Sequence, residues 1–302
     1  MPGPPSRRTL RSIRARLLAW YDADHRAFPW RGTHDPYAVL VSEVMLQQTQ
    51  AARVVERFPR FLARFPTSRE LAQAPPGAVL AEWSGLGYNR RALALQAAAV
   101  VVERDGWPAD VSALERLPGI GPYTARAIAS LAFAQPVGVV DTNVRRWLIR
   151  RLGVHDRPAA LQEAADALAT AASDARVDDW THATMEFGAR ICRARAPRCD
   201  VCPIARGCRS RGRAASVGVA RQPALLGSQR AYRGAVLRDL TGTPGHRLPA
   251  ATARERLDHH ATRIGPALDD RGWEQVVVGL ERDGLVHRAG GELRLGAATI
   301  DP

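Results

Sequence analysis

All four cysteines of the chain fall in one short stretch, spaced Cys192-x6-Cys199-x2-Cys202-x5-Cys208. No other feature restricts the fold as tightly. A disulfide framework spreads its cysteines along a chain and belongs to an oxidising compartment, whereas clustered thiols call for a metal centre that closes the loop. Four thiolates so placed can wrap a [4Fe–4S] cube or a tetrahedral zinc. Zinc sites usually present two tight cysteine pairs separated by a longer gap. Here only Cys199 and Cys202 are tightly paired, with unequal arms on either side, and that suits the cube better. Arg193, Arg195, Arg198, Arg206 and Arg209 interleave the thiols, so the loop would present a basic face while the metal acts as a staple.

With 302 residues, 46% of them hydrophobic, the chain can bury a core large enough for one helical body and a small appendage. Wholesale disorder is excluded. No apolar run reaches bilayer-spanning length and no signal-peptide pattern opens the chain, so no membrane partner is expected. The expectation is a cytoplasmic monomer, nucleoid-associated if the source is bacterial, with the Pro-rich and basic Met1 to Arg8 as a loose tail. The formal net charge of +13 favours a polyanion as partner, because basic groups near phosphates release condensed counterions. Every basic residue is Arg and Lys is absent; a codon bias explains most of this, but the absence has a chemical consequence taken up below.

Helical patterning runs from Leu10 to Arg195. Asp35-Pro36 places a capping residue before a proline at the first helical position, followed by apolar residues to Leu46. Thr67-x-x-Glu70 forms a capping box. Further helices are expected over Arg90 to Glu103, Pro122 to Phe133, after Asp141, over Pro158 to Ala172, and from Asp179 to about Arg193. Arg209 to Gln229 lacks periodicity and reads as a linker. Beyond it, Trp273 to Asp283 looks helical and Leu285 to Leu295 reads as a hairpin turning at Gly290-Gly291, which suggests a small winged-helix-like α/β domain. The fold class is mainly α.

Three motifs carry chemistry. Leu117-Pro-Gly-Ile-Gly121, flanked by helices, is a helix-hairpin-helix signature. Gly119 and Gly121 would let the backbone approach a DNA phosphate, a grip that reads no bases. Asp141, in Val139-Val-Asp-Thr-Asn143, is an ordinary N-cap on one reading. On another it is a carboxylate facing a developing sugar cation, as in glycoside cleavage. Glu43 is the lone acid of the nearly all-apolar stretch Tyr37 to Leu46. It is either on the helix's wet face or buried with a raised pKa, and burial would keep it protonated as a general acid needs near neutral pH.

Taken together and in order, several motifs resemble one family, the MutY adenine DNA glycosylases of the endonuclease III (helix-hairpin-helix) superfamily. They are Phe28-Pro-Trp-Arg31, Ser42-Glu-Val-Met-Leu-Gln-Gln-Thr-Gln50, Gly85-Leu-Gly-Tyr88, Leu117 to Ala125, Val140-Asp-Thr-Asn-Val144, Met185-Glu-Phe-Gly188 and the four cysteines. They span about residues 10 to 210. The resemblance implies a helix-hairpin-helix glycosylase fold over 9–213, with a six-helix barrel at roughly 30–138 and a cluster domain from 9–29 and 139–213. A linker at 214–229 and a small domain at 230–302 would follow. It implies duplex DNA with adenine opposite 8-oxoguanine or guanine as partner, base excision repair as the setting, and a [4Fe–4S] cluster on Cys192, Cys199, Cys202 and Cys208. Adenine would be flipped into a pocket. Glu43 would then protonate its ring, and Asp141 would stabilise the sugar cation with support from Tyr123 and Asn143. Trp30, Arg31 and Glu186 resemble adenine-pocket residues; Gln48, Thr49, Leu86 and Tyr88 resemble positions that wedge the duplex and contact the opposite base.

Bifunctional relatives carry a lysine in the second helix of the hairpin, where its amine forms a Schiff base with the sugar. This chain has Tyr123 there and no lysine elsewhere, so a monofunctional enzyme without lysine-based lyase activity is expected. Two departures from the family stand out. The Phe-Ser-His loop of the Nudix-like C-terminal domain is missing, and Thr142 replaces a glycine common in relatives. A thymine or uracil mismatch glycosylase of the same superfamily is the first alternative, set apart by Glu43, which pyrimidine removal does not need. A non-catalytic Fe–S DNA-binding protein is the second, and it leaves both carboxylates unexplained.

Overall fold

The computed structural model describes residues 5–108, 110–172, 175–211 and 224–297. It is mainly helical, 59% helix, with a small strand-containing C-terminal region. In chain order come α1 (Arg7–Asp24), α2 (Pro36–Leu46), α3 (Ala51–Arg64), α4 (Ser68–Gln73), α5 (Pro76–Glu82) and α6 (Arg90–Asp105). Next are α7 (Val111–Leu114), α8 (Pro122–Leu131), α9 (Thr142–Leu152), α10 (Pro158–Ala169) and α11 (Val177–Arg190). The C-terminal region holds α12 (Gln229–Thr241), β1 (Arg247–Pro249), α13 (Ala250–His259), α14 (Ala261–Ile264), α15 (Asp270–Arg282), β2 (Val286–Ala289) and β3 (Glu292–Leu295). Met1–Glu43 with Trp107–Ala220 forms one compact unit, and Val44–Gly106 with Arg221–Pro302 forms the other.

Local chemistry sets the helix starts. Asp35 accepts from the amides of Tyr37 (3.1 Å) and Ala38 (3.3 Å) to start α2, and Thr67 accepts from the Glu70 amide to start α4. Part of the expected loose tail is helical. Ser6 caps α1 by accepting from the Thr9 amide at 3.2 Å, so the helix begins at Arg7.

In the first unit, α1 buries Leu10, Ile13, Leu17 and Tyr21, a helical spacing that makes one face. That face belongs to a core with Trp147 and Leu148 of α9, Leu161 of α10 and Phe187 of α11. Trp147 meets Phe187 edge-on, with ring centroids 6.0 Å apart. Arg14 is buried beside this core. Its guanidinium donates to the carbonyls of Ala169 and Arg176 and lies 5.0 Å from the centre of the Trp180 ring, so the charge is solvated by protein rather than stranded.

In the second unit, α4 and α5 pack on α6. The C-terminal strands form an antiparallel sheet in the order β1-β3-β2. The hairpin expected at Leu285 to Leu295 is present, and Gly290 and Gly291, at φ +57° and +79°, supply the left-handed pair its two-residue turn needs. Strand β1 carries no sequence signal: it is three residues long and exists by pairing with β3. The sheet also packs against α5, where a Cβ on Gly77 would stand 2.8 Å from the Leu295 carbonyl oxygen. The expected linker lies for the most part outside the described residues.

Candidate active site

Helix α2 is buried from Tyr37 through Met45, which settles the question its periodicity left open: Glu43 is inside, 4% exposed. Its Oε2 has no hydrogen-bond partner among the described residues, while the Tyr123 hydroxyl bonds to the carboxyl. Burial dominates the titration. It lifts the acid to about 7 against the opposing Tyr123 hydrogen bond, and the nearby Asp141 charge pushes the same way. Half of such groups hold a proton near neutral pH, the condition in which a carboxyl can donate one.

Asp141 has the place that the first of its readings gives it. It is the N-cap of α9, with Oδ1 accepting from the Val144 amide at 2.6 Å, and its Oδ2 accepts from Asn143 Nδ2 at 2.6 Å. Burial raises its pKa, and these two donors with the Arg146 guanidinium work against that rise. Thr142 is exposed and leaves the cap undisturbed. Glu43, Tyr123, Asp141 and Asn143 are therefore brought together, with Tyr123 also 3.7 Å from Met185 Sδ. Arg146 extends this group. It donates to Asn143 Oδ1 (2.8 Å), to the Gly188 carbonyl (2.6 Å) and to the Cys192 carbonyl (2.7 Å), which ties the carboxylate end of α9 to the start of the cysteine loop. Gly188 permits the arrangement, since a Cβ there would lie 2.7 Å from Asn143.

Glu186 and Arg31 form a second cluster. The carboxylate, fully buried, receives Arg31 Nη2, Arg26 Nε (2.9 Å) and Arg190 Nη1 (3.3 Å). Burial alone would raise its pKa, but the Arg26 and Arg31 guanidiniums outweigh it and hold the acid down at about 2. Trp30 is buried and stacks on Phe28, ring centroids 4.7 Å apart, and the Arg31 guanidinium lies over the rings of Phe28 and Tyr21. His182, in the field of Arg31, is pushed by burial to about 3 and is neutral at any physiological pH.

The hairpin glycines differ in role. Gly119 adopts φ +74°, a turn that needs glycine, and Gly121 is the N-cap of α8 with open space where its Cβ would be. In the second unit, Gln48 and Tyr88 both hold left-handed backbone, φ +53° and +48°, costly for side-chain-bearing residues and typical of functional loops. A residue that sequence reading missed holds them there. Arg91 donates to the carbonyls of Val44, Gln47 and Gly87 and to Thr49 Oγ1, bridging the loop of Gln48 and Thr49 to the loop of Leu86 and Tyr88. Burial lowers its pKa to about 10, which leaves it charged. Tyr88 is 40% exposed, whereas Leu86 is buried.

Residues 41–170 match the family model described as HhH-GPD superfamily base excision DNA repair protein. Over 282 residues the chain is 40% identical to the adenine DNA glycosylase of Mycolicibacterium smegmatis, covering 90% of this chain and 92% of that protein. The chain belongs to the adenine DNA glycosylase family. It is 46% identical over 197 residues to the adenine DNA glycosylase of Mycobacterium tuberculosis, a match covering 62% of this chain and 64% of that one. Against the human adenine DNA glycosylase the identity is 40% over 232 residues, 72% of this chain and 42% of the other. Among solved structures, a thermostable thymine-DNA glycosylase aligns with a TM-score of 0.62 and 30% identity, covering 67% of this chain and 95% of that one. An endonuclease III bound to DNA shares the fold, with a TM-score of 0.57.

In this adenine DNA glycosylase family member, all four cysteines line one cavity, floored by Trp147 and Phe187. Helix α9 holds their loop by its backbone. Arg150 donates to the carbonyls of Arg193 (2.6 Å) and Ala194 (3.0 Å), and Arg151 to those of Gly207 (2.7 Å) and Arg206 (3.0 Å). Burial pushes the Cys202 thiol up to about 11 and raises that of Cys192, so a bound cation would have to draw off their protons. Among the described residues no three of these thiols are placed to hold a single metal ion, but four cysteines sharing one lining are a donor set whose chemistry suits a metal cluster.

Proposed function

We propose that this chain removes adenine from duplex DNA where it stands opposite 8-oxoguanine or guanine, by hydrolysis of the N-glycosidic bond and without strand cleavage by a lysine. One observation carries the reading: a fully buried carboxyl at position 43, raised to about 7, shares a hydroxyl contact and an electrostatic field with the Tyr123–Asp141 group. Family membership supports the base, because the relatives above are adenine DNA glycosylases.

On this reading Glu43 donates its proton to a ring nitrogen of the flipped adenine, so that the base can leave with the electrons of the C1′–N bond. Asp141, its carboxylate held by Val144 and Asn143, faces the positive sugar that results. Water then adds at C1′ and loses a proton, to the ionised Glu43 in the simplest scheme. Tyr123 orients Glu43, and Asn143 orients Asp141. Trp30, Arg31 and Glu186 shape the adenine pocket, Gln48, Thr49, Leu86 and Tyr88 face the opposite base, and the backbone at Gly119 and Gly121 grips a phosphate. Cys192, Cys199, Cys202 and Cys208 would hold a [4Fe–4S] cluster, which would supply cross-linking of their arginine-bearing loop and no part of bond cleavage. The organisation proposed is a catalytic region at 9–213 followed by an appended domain at 230–302.

The test is product analysis on duplexes carrying A opposite 8-oxoguanine, A opposite G, and T or U opposite G, each with and without hot alkali. Strand breaks only after alkali, and only at adenine, are expected. Breaks without alkali would refute the monofunctional assignment, and release of T or U in preference to adenine would refute the base. Brown protein with broad visible absorbance is expected from anaerobic purification; colourless protein with stoichiometric zinc would contradict the cluster.

A further inference from the structure

The segment that delivers Asp141 is held three residues upstream, at Gly138, by side chains from two other helices. The Gly138 amide donates to Asp166 Oδ1 of α10 at 2.7 Å. Its carbonyl accepts from Gln162 Nε2 of the same helix at 2.9 Å and from Arg126 Nη1 of α8 at 3.4 Å. Arg126 and Gln162 also donate to Asp166 Oδ1, at 2.9 and 3.1 Å, so one carboxylate oxygen gathers three donors. The backbone at 138 needs glycine for this approach. A Cβ there would stand 2.4 Å from the Ala165 carbonyl carbon and 2.6 Å from the Asp166 amide nitrogen, which means the segment lies directly on the α10 backbone. Between this clamp and Asp141, Val139 is buried and Val140 packs on the core of the first unit.

Stability is a poor reason for the clamp. The side chains of Arg126 and Asp166 are 23% and 38% exposed, and ion pairs that open to water contribute little. Its place in the fold gives a better one. Arg126 follows Tyr123 by one helical turn on α8, so the group joins the helix bearing Tyr123 to the segment bearing Asp141. We infer that Asp166 is a positioning residue for adenine release: through Gly138 it sets where the Asp141 carboxylate stands relative to Tyr123 and Glu43. The inference rests on the catalytic role proposed for Asp141. A shift of about 1 Å in a group that must face a developing charge can cost about 100-fold in rate.

The test is single-turnover adenine release by the full chain, on an A:8-oxoguanine duplex at saturating enzyme, with rate constant and amplitude fitted separately and duplex affinity measured alongside. Asp166→Ala removes the acceptor and should lower the rate constant by about 10- to 100-fold while amplitude and affinity are kept. Asp166→Asn retains an oxygen for the Gly138 amide and should restore the rate constant to within roughly threefold of the wild type. Arg126→Ala leaves the bond between the Gly138 amide and Asp166 in place and should fall between the two, and it reads the clamp even if Asp166→Ala does not fold. Asp22→Ala breaks another part-exposed ion pair of the first unit, with Arg176, and should keep the wild-type rate constant. A wild-type rate constant in Arg126→Ala and in any folded Asp166→Ala would overturn the inference. So would a lower amplitude at an unchanged rate constant, the mark of a residue that only stabilises the fold, or an equal loss in Asp22→Ala. Equal losses in Asp166→Asn and Asp166→Ala would also overturn it, because charge rather than the bond to Gly138 would then matter. Normal release by Asp141→Asn would sink the catalytic reading of Asp141; loss of release there, with normal rates in the clamp variants, would sink this inference alone.

Discussion

Asp141 is a cap and, on the account above, a catalytic group, and one substitution separates the two. Asparagine caps as well as aspartate, so Asp141→Asn should cost less than about 1 kcal/mol of stability while removing the negative charge. Adenine release should fall by at least about 100-fold with duplex affinity largely kept. Near-normal single-turnover release would show that the residue only starts a helix. Glu43 gives a prediction of opposite sign. Its folded pKa of about 7 lies above the 4.5 of an unperturbed glutamic acid, so the folded chain binds more protons between those values. Stability conferred by the neutral form is present below about pH 4.5 and is lost as pH rises towards 7, by roughly 3 kcal/mol. Glu43→Gln should therefore melt above the wild type at pH 8 and near it at pH 5, in calorimetric scans, while abolishing release. A variant less stable than the wild type at pH 8 would mean that the acid is not buried in its charged state.

Among the elements, α9 is the common mount. Its first turn holds Asp141 and Asn143, and its later turns hold the cysteine loop through Arg146, Arg150 and Arg151. Helix α11 presses on it at Gly188, where any side chain collides with Asn143. Gly188→Ala should cost about 1–3 kcal/mol as overpacking and slow release by displacing Asn143 from Asp141. A full rate with an unchanged melting temperature would contradict that coupling. Replacing Cys199 by Ser should release the loop and weaken duplex binding more than the rate at saturating enzyme, measured by anisotropy and single turnover. These elements were legible in the sequence to unequal degrees. Caps, glycine turns and the cysteine spacing act over a few residues, so Asp35, Thr67, Gly290 and the thiols could be read directly. Arg26, Arg91 and Arg146 could not, because each acts on carbonyls or carboxylates far along the chain, and in a chain whose every basic residue is arginine none stands out. Strand β1 was hidden for a related reason: three residues carry no period, and the pairing with β3 defines them. Whether Glu43 faced water or core was likewise undecidable on a helix apolar almost all round.

For the whole molecule, a charge of +13 and a set of arginines bound to their own backbone do different work. On the proposed function the net charge would draw the chain to DNA at a rate that salt should suppress, whereas Arg14, Arg91, Arg146 and Arg150 hold loops and helix ends. Base removal, by contrast, hangs on a single proton. The most direct measurement is the pH dependence of single-turnover adenine release, on an A:8-oxoguanine duplex at saturating enzyme. With Glu43 as the acid, the rate should fall about tenfold per pH unit above about pH 7, and decline again in acid as Asp141 takes up a proton. A rate that stays flat from about pH 6 to 9 in the wild type, or that survives in Glu43→Gln, would contradict the account.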